Sequence, residues 1–334
     1  MDAVKFQQFL DAVEPDRGGT VLSAEPIPGG YSRETVMAEV RWADGSTERF
    51  VLRGDPDEDR SVFRSDRAAE WRLLQALEGV PTFEVAAPRW YDATGEYLGT
   101  RCIVSEAVNG TSLQTLLDKG LDVETARRHM IEIIASVHTT SLDLVSDDIP
   151  RPVSWDAHID SIMDMYDEIL AKQGECNPIL RYVRRKVRAN RPPEVPLALV
   201  HGDYQPGNFL LSEGAPPVLI DWEFGHIGDP RTDLGYYTQI PMPPHLYTPD
   251  PESFLVEYRA LTGYTPEQVN PQIVEYFKLL GLVNVFRQMV FAAEEVADGE
   301  HRGVMAPYLI MAIAHFHNLF LTAAMDLPNT SESS

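Results

Sequence analysis

Three polar residues in the second half of the chain have the types and the spacing that could support transfer of a phosphoryl group. Asn208 lies five residues after Asp203, and Asp221 lies 18 residues after it. Such a transfer needs a carboxylate that receives the proton of the attacking hydroxyl, and hard oxygen ligands that hold Mg²⁺ on the nucleotide phosphates. Two short apolar runs, LALV and PVLI, come directly before the polar segments that contain these residues. Two strands that end in loops could therefore bring the three side chains to one point.

The sequence around these residues matches a known pattern. The segments HGDYQPGN and LIDWEFG are similar in spacing to the HRD-x-x-x-x-N and DFG motifs of protein kinases. With the continuation IDWEFGHIGDPRTDLGYY, the chain resembles the aminoglycoside phosphotransferase and choline kinase superfamily, and within it the kinase-like domains fused to acyl-CoA dehydrogenases. The resemblance implies a bilobal α+β fold of the protein-kinase-like type. Its small N-terminal lobe would be an antiparallel β-rich unit, and its larger C-terminal lobe would be mainly helical.

The resemblance also implies a role for each matching residue. Asp203 would be the catalytic base, and Asn208 and Asp221 would be the ligands of Mg²⁺. His201 would brace the catalytic loop, and Asp233 would anchor it.

Two other acids of the same segment have less defined roles. Asp229, between Gly228 and Pro230, is predicted to turn the chain rather than to act in chemistry. Glu223 could touch a second metal ion, or it could organise the loop after the strand.

The first hundred residues should supply the nucleotide-binding elements. Three strands are predicted in TVLSAEPIPGG, TVMAEVRWADGS and TERFVLRGD, with a hairpin turn at Asp44-Gly45, followed by a helix in SVFRSDRAAEWRLLQALEG. Gly29, Gly30 and Ser32 lie between the first two strands. There, glycine backbone N–H groups could approach the phosphates and Ser32 could add a donor.

Arg53 occupies the position where kinases of this type usually carry a Lys on the third strand. An arginine keeps the positive charge and can grip a phosphate with two donors, but its planar group is larger than an ammonium. Glu70, on the following helix, is its predicted partner.

The connector IVSEAVNG resembles the hinge between kinase lobes. The resemblance implies that the backbone from Glu106 to Val108 pairs with the nucleotide base and that Val104 borders the base. After about residue 110, amphipathic helices dominate. The predicted organisation is a nucleotide-binding lobe over residues 1–105, a hinge over 106–110, a catalytic and substrate lobe over 111–326, and a flexible tail over 327–334.

Composition limits the classes of partner. The 334 residues include 28 Lys and Arg against 51 Asp and Glu, which gives a formal net charge of −23. Nucleic acids and anionic membrane surfaces are therefore poor partners. Two cysteines make no disulfide or zinc framework. The N-terminal segment lacks the apolar run of a signal peptide, so we expect a cytoplasmic protein.

Residues 304–325 form an apolar stretch that is long enough to span a membrane. Pro307, His315, His317 and Asn318 interrupt it, which favours a helix buried inside a soluble lobe.

Two charged segments give conflicting indications about the substrate. An acidic group could attract a polycationic aminoglycoside or a quaternary amine; it comprises Glu294, Glu295, Asp298 and Glu300. A basic stripe on one helix face could meet an anion such as an acyl-CoA; it comprises Arg181, Arg184, Arg185 and Arg188. For both segments, solvated surface charge is the simpler interpretation and the one that we favour.

The sequence thus predicts a small-molecule kinase that uses Mg²⁺ and ATP or GTP. The acceptor would be a small-molecule hydroxyl, such as that of an aminoglycoside, an amino alcohol or a hydroxyacyl-CoA. Two alternatives stay open: a nucleotide-binding regulator with weak catalysis, and a metal-dependent hydrolase built on Asp203, Asp221 and Glu223. The oligomeric state is not predicted.

Overall fold

The computed structural model describes residues 1–27, 34–55, 66–173, 176–239, 244–247, 249–299 and 306–328. The strands are β1 Thr20–Pro26, β2 Glu34–Arg41, β3 Thr47–Gly54, β4 Glu84–Val85, β5 Pro88–Asp92, β6 Cys102–Glu106, β7 Thr111–Ser112, β8 Ala198–Val200, β9 Phe209–Leu211, β10 Val218–Leu219 and β11 His226–Gly228. The helices are α1 Ala3–Val13, α2 Arg67–Leu77, α3 Leu113–Asp118, α4 Val123–His138, α5 Trp155–Lys172, α6 Pro178–Ala189, α7 Arg231–Tyr237, α8 Pro251–Thr262, α9 Pro271–Ala297 and α10 Ala306–Asp326.

The first lobe is built on a five-stranded antiparallel sheet in the order β1-β2-β3-β6-β5. The predicted hairpin joins β2 to β3. Its turn is closed by the Trp42 N–H, which donates to the Ser46 carbonyl at 2.9 Å. Gly45 has a φ of 87°, a conformation that glycine adopts without strain. The predicted α+β fold with a small antiparallel lobe and a larger helical lobe is therefore confirmed.

Helix α1 covers one face of this sheet, and the sequence analysis did not predict it. The side chains of Phe6, Phe9 and Leu10 are buried against Phe50 and Val104 of the sheet. The Asp2 carboxylate caps the start of the helix by accepting hydrogen bonds from the N–H groups of Val4 and Lys5. With one face of the sheet covered, the opposite face is left for the second lobe.

A second hydrophobic core joins helix α2 to the helical lobe. Leu73 and Leu77 of α2 are buried in the same cluster as residues of α4 and α8. The Phe83 ring stacks on Trp222 with 5.7 Å between ring centroids. The short strand β4 pairs with β10 of the larger lobe, in parallel. Helix α2 thus connects the two lobes, because it also contacts β5 and β6 of the small sheet, where Trp71 stacks on Tyr91 with 5.7 Å between ring centroids.

Helix α10 differs from its prediction. It packs on α6 and α9 through one side, where Phe320, Ala323 and Ala324 are buried. Among the described residues, Leu309–Asp326 is the one stretch with the length and mean hydropathy, 1.3, to cross a membrane, and 22% of it is buried in the protein. The expectation of a buried helix was therefore wrong for most of its surface.

The two residues that follow α10 are packed against the helical lobe, which was not expected of the predicted flexible tail. Leu327 is buried, and its carbonyl and that of Pro328 accept hydrogen bonds from Lys186 Nζ at 2.9 and 3.1 Å. The remainder of the predicted tail lies outside the described residues.

His158 on α5 should make stability depend on pH. Its Nε2 accepts a hydrogen bond from the Asp229 N–H at 3.2 Å. Burial, with a smaller contribution from the nearby His226, lowers the pKa of His158 to about 4. The unfolded chain, with its His pKa near 6.5, binds the proton more readily. Stability is therefore lost as the pH falls from about 6.5 to about 4, by up to about 3 kcal/mol from this group.

The His158→Gln variant should show a smaller loss of unfolding free energy in urea between pH 7 and pH 5. An unchanged pH slope would contradict this assignment.

Candidate active site

The catalytic motif lies in loops that follow two short strands. Strand β8 leads into His201, and β10 leads through Ile220 to Asp221. The two strands are not neighbours, because β8 pairs with β11 and β10 pairs with β9 and β4. His201 Nε2 connects the loops by donating to the Ile220 carbonyl at 3.0 Å, while its Nδ1 accepts from the Asp203 N–H at 3.2 Å. The ring therefore contacts both loops.

Asp233 ties the same loop to the rest of the lobe. Its carboxylate accepts from the backbone N–H groups of His201 and Gly202, both at 2.8 Å, and contacts His138 Nε2 at 3.0 Å. Burial opposes ionisation, but the His138 contact and the neighbouring imidazoles outweigh it and lower the pKa of Asp233. The anchoring geometry proposed from the sequence is present, and His138 is a partner that sequence reasoning missed.

Asp203 is 6% exposed, and its carboxylate accepts several hydrogen bonds. Gln205 Nε2 donates to both oxygens, at 2.8 and 2.9 Å, and Asn208 Nδ2 donates to Oδ2 at 2.6 Å. The Tyr236 hydroxyl also donates to it. Burial and then the charge of Asp221 raise the pKa of Asp203. Gln205 and Tyr236 were missed, because nothing in residue type or spacing distinguishes them before the loops are folded.

Asp221 adopts a left-handed backbone conformation, with a φ of 68°. No other non-glycine residue in the described part of the chain has a positive φ. For a residue with a side chain this conformation costs energy, and such residues cluster at functional sites. Asp221 Oδ1 lies 2.5 Å from Arg53 Nη2, so this backbone turn aims the carboxylate at the small lobe.

Arg53 is placed between two acids. Its Nη1 lies 3.6 Å from Glu70 Oε1, which is the predicted pair, in addition to the contact with Asp221. Burial lowers the pKa of Arg53, but the charges of Asp221 and Glu70 outweigh burial and raise it.

Arg67 holds Glu70 more closely than Arg53 does. Its Nη1 donates to Glu70 Oε2 at 2.7 Å, and its Nε donates to Asp55 Oδ1 at 3.1 Å. Its side chain is fully buried. The spacing of three between Arg67 and Glu70 on one helix is the sequence signal of this pair, which was not among the predicted contacts.

Two acids with uncertain roles are now placed. Asp229 is fully buried, and its carboxylate accepts from Arg231 and from Trp155 Nε1, each at 2.6 Å. This is a structural role, as predicted, although it consists of a buried network as well as a turn. Glu223 is half-buried in the turn that follows Asp221.

The remaining small-lobe predictions have mixed outcomes. Gly29, Gly30 and Ser32 lie outside the described residues. Glu106 and Val108 are half-buried where β6 leaves the sheet, and the Ala107 N–H between them donates to the Arg49 carbonyl at 2.9 Å. Their pairing with a base stays a prediction.

Val104 was expected to border the nucleotide base, and this was wrong. Its side chain is fully buried in the outer core with α1. Successive residues of a strand point to opposite faces, so its neighbours Ile103 and Ser105 face the other way, and Ile103 packs in the core of the larger lobe.

The charged segments considered for substrate binding pair with neighbouring helices. Arg184 and Arg188 of the basic stripe both contact Asp167 on α5. Glu294 of the acidic group contacts Lys172 Nζ at 2.6 Å. These pairs support the simpler interpretation of both segments as surface charge.

Two oxygen donors at this site fit Mg²⁺. They are the Asp221 carboxylate and the Asn208 side-chain carbonyl, which remains once Asn208 Nδ2 has donated to the carbonyl and the carboxylate of Asp203. Mg²⁺ is commonly held by one or two such ligands together with waters and substrate phosphates. Within the described ranges no cluster of three His, Cys, Asp or Glu residues is arranged for a metal, so any cation here would depend on this small set.

Comparisons with known proteins agree with this geometry. Residues 23–272 match the model of the phosphotransferase enzyme family. Acyl-CoA dehydrogenase family member 11 of Gallus gallus is 25% identical over 237 residues, which cover 68% of this chain and 29% of that protein. The chain thus spans less than a third of the length of that relative.

Solved structures share the fold over nearly the whole chain. A protein of Ralstonia eutropha JMP134 assigned as an aminoglycoside phosphotransferase has a TM-score of 0.67 at 17% identity, covering 98% of this chain and 99% of its own. A thermostable mutant of aminoglycoside phosphotransferase APH(4)-Ia, in a ternary complex with ADP and hygromycin B, has a TM-score of 0.64 at 14% identity, covering 97% of this chain and 99% of its own. The resemblances drawn from the sequence, to the aminoglycoside phosphotransferases and to the acyl-CoA dehydrogenase fusion branch, are confirmed. This chain belongs to the phosphotransferase enzyme family.

Proposed function

We propose that this protein is a small-molecule kinase that transfers the γ-phosphoryl group of ATP or GTP, with Mg²⁺, to a hydroxyl group. The observation that carries the proposal is the convergence of Asp203, Asn208 and Asp221 with Arg53 of the opposite lobe. Mg²⁺ would neutralise phosphate charge when held by Asp221 and Asn208. Asp203 accepts the proton of the acceptor hydroxyl, and Arg53 steadies the phosphates.

The contacts of Asp203 indicate where the acceptor binds. Both carboxylate oxygens already accept from Gln205 Nε2. A substrate hydroxyl must approach one of them to within hydrogen-bond distance to be activated. The acceptor therefore binds beside Gln205, whose amide has to release one oxygen as the hydroxyl arrives.

The contact between the lobes favours a kinase over the hydrolase alternative. A hydrolase built on Asp203, Asp221 and Glu223 would need nothing from the small lobe. Here, however, Arg53 Nη2 lies 2.5 Å from Asp221 Oδ1. A regulator would have no need of the buried and hydrogen-bonded Asp203.

An acceptor screen tests the proposal directly. ADP or GDP release would be measured with Mg²⁺ and either nucleotide against aminoglycosides, choline, sugars and hydroxyacyl-CoAs, the last because one relative is named for acyl-CoA dehydrogenation. We expect release that depends on one acceptor class and is lost in Asp203→Asn. Phosphate release that needs no acceptor would favour the hydrolase, and nucleotide binding without any release would favour the regulator.

Arg53 gives a second test, which concerns nucleotide binding. Arg53→Met removes the charge that would meet the phosphates and leaves Asp221 without this partner. Because hydrogen bonds to charged groups contribute about 1.5–3 kcal/mol, we expect nucleotide affinity to fall by about tenfold or more. Isothermal titration calorimetry would measure it. Arg41→Met, at the exposed end of β2, is the matched control and should leave the affinity unchanged. Equal nucleotide affinities in the two variants would show that Arg53 does not contribute to nucleotide binding.

A further inference from the structure

The outward side of α10 is mostly apolar and is exposed from Ile310 to Met325. We define the outer face of α10 as Met311, Ala314, Asn318, Leu321 and Met325, all of which are exposed. Met311 is 74% exposed and Met325 is 68% exposed. The residues on the inward side, including Phe320, Ala323 and Ala324, are buried against the lobe.

The outer face is uncharged, in contrast to the rest of the chain. From Ala306 to Met325 there is no Asp, Glu, Lys or Arg, although charged residues make up 24% of the sequence. A helix on the surface of a soluble monomer normally carries charged residues on its outward face. This helix has the composition of one that is covered on both sides.

The spacing of the outer face indicates what covers it. Its five residues alternate steps of three and four, which is the a/d pattern of helices that pack against other helices. The two methionines at its ends are equidistant from Asn318, because Met311 lies seven residues before it and Met325 seven residues after it. A two-fold axis at Asn318 would place Met311 against Met325 of the partner subunit and bring the two Asn318 amides together.

The charge of the chain also favours a second copy of the protein as the partner of this face. Two chains of net charge −23 repel each other over most of their surfaces. They can approach closely where a long face carries no charge. An anionic membrane would be repelled by the same net charge, and α10 itself carries no Lys or Arg and ends in Asp326. We propose that the outer face of α10 is the interface of a homodimer, with the two α10 helices packed antiparallel around Asn318.

A single helix pair makes a small interface, so we expect a dissociation constant in the micromolar range. Sedimentation equilibrium of the full chain, from about 1 to about 200 μM, should show the mass rising toward twice 37.5 kDa. Met311→Glu combined with Met325→Glu places like charges opposite each other and should weaken association at least a hundredfold. Met311→Lys combined with Met325→Glu places opposite charges together and should restore it.

A charge placed elsewhere on the surface controls for a general effect of added charge on association. Val256→Glu changes a residue of α8 that is 50% exposed, and should leave the dissociation constant unchanged. Each variant should unfold at the wild-type temperature, since the substituted side chains are exposed.

Several results would overturn the proposal. These are a wild-type chain that stays monomeric at 200 μM, a dimer that survives the double Glu variant, and a Lys/Glu variant no tighter than the double Glu variant. Co-sedimentation of monomeric protein with phosphatidylcholine vesicles, lost in the double Glu variant, would instead assign the face to a membrane.

Discussion

Asp203→Asn is expected to lower the turnover number for phosphoryl transfer by about 10²–10⁴-fold, the usual contribution of a general base. The substitution keeps the size of the side chain but removes its ability to take a proton at the reaction pH. The carboxylate is also the point on which Gln205, Asn208 and Tyr236 converge. Steady-state kinetics with the acceptor found by the screen would measure the effect.

The interpretation requires that the variant remain folded and bind nucleotide. The new amide would bring its NH2 group against the hydrogen-bond donors that now serve Asp203. Rotation of the half-buried Gln205 amide, which presents its oxygen instead, relieves this conflict. We therefore expect nucleotide affinity to change by less than about threefold and the unfolding temperature by a few degrees. Turnover within tenfold of wild type, in a folded variant, would exclude Asp203 as the base.

Arg231→Met is expected to lower the free energy of unfolding by about 3–5 kcal/mol, because it leaves a buried carboxylate without its counterion. Arg231 and Asp229 are both fully buried. Arg231 Nε lies 2.9 Å from Asp229 Oδ1, and its Nη2 lies 2.6 Å from Oδ2. The guanidinium also donates to the Gln268 carbonyl at 2.9 Å, so its loss frees a second acceptor.

An exposed ion pair of the same length provides the comparison. Arg17 Nη2 lies 2.6 Å from Glu48 Oε1, but the two side chains are 41% and 38% exposed. Because water screens such pairs, Glu48→Gln, which leaves the Arg17 guanidinium on the Trp42 ring, should cost about 1 kcal/mol or less. Urea denaturation of both variants and the wild type would measure the difference. Equal losses of unfolding free energy would show that burial does not determine how much the Arg231 pair contributes to stability.

Local motifs were predictable, and contacts between distant segments were not. The loop after β8 could be identified because Asp203, Asn208 and Asp221 lie within one short stretch of sequence. Tyr236 and His138 reach the same loop from α7 and α4, and neither has a sequence signal of its own. Arg53 was predicted with Glu70 because kinase folds pair these positions, yet the shorter contact of Glu70 is with Arg67.

The errors have physical reasons. Val104 was assigned to the wrong face because shifting a strand by one residue reverses the direction of every side chain. Helix α1 was missed, although Asp2 and the apolar spacing of Phe6, Phe9 and Leu10 indicate an amphipathic helix. The burial of α10 was overestimated because apolar composition does not distinguish a helix inside a lobe from one with an exposed side.

The contacts of α2 limit how the two lobes can separate. Leu73 and Leu77 of this helix are packed in the core of the larger lobe. Arg67 and Trp71 of the same helix contact the sheet side, through an ion pair with Asp55 and a ring stack with Tyr91. Any rotation of the sheet against the helical lobe must therefore break contacts on one side of α2. Exposing the two leucines to water would cost about 2 kcal/mol for each, so α2 couples the position of the sheet, and of Arg53 on it, to the catalytic loops.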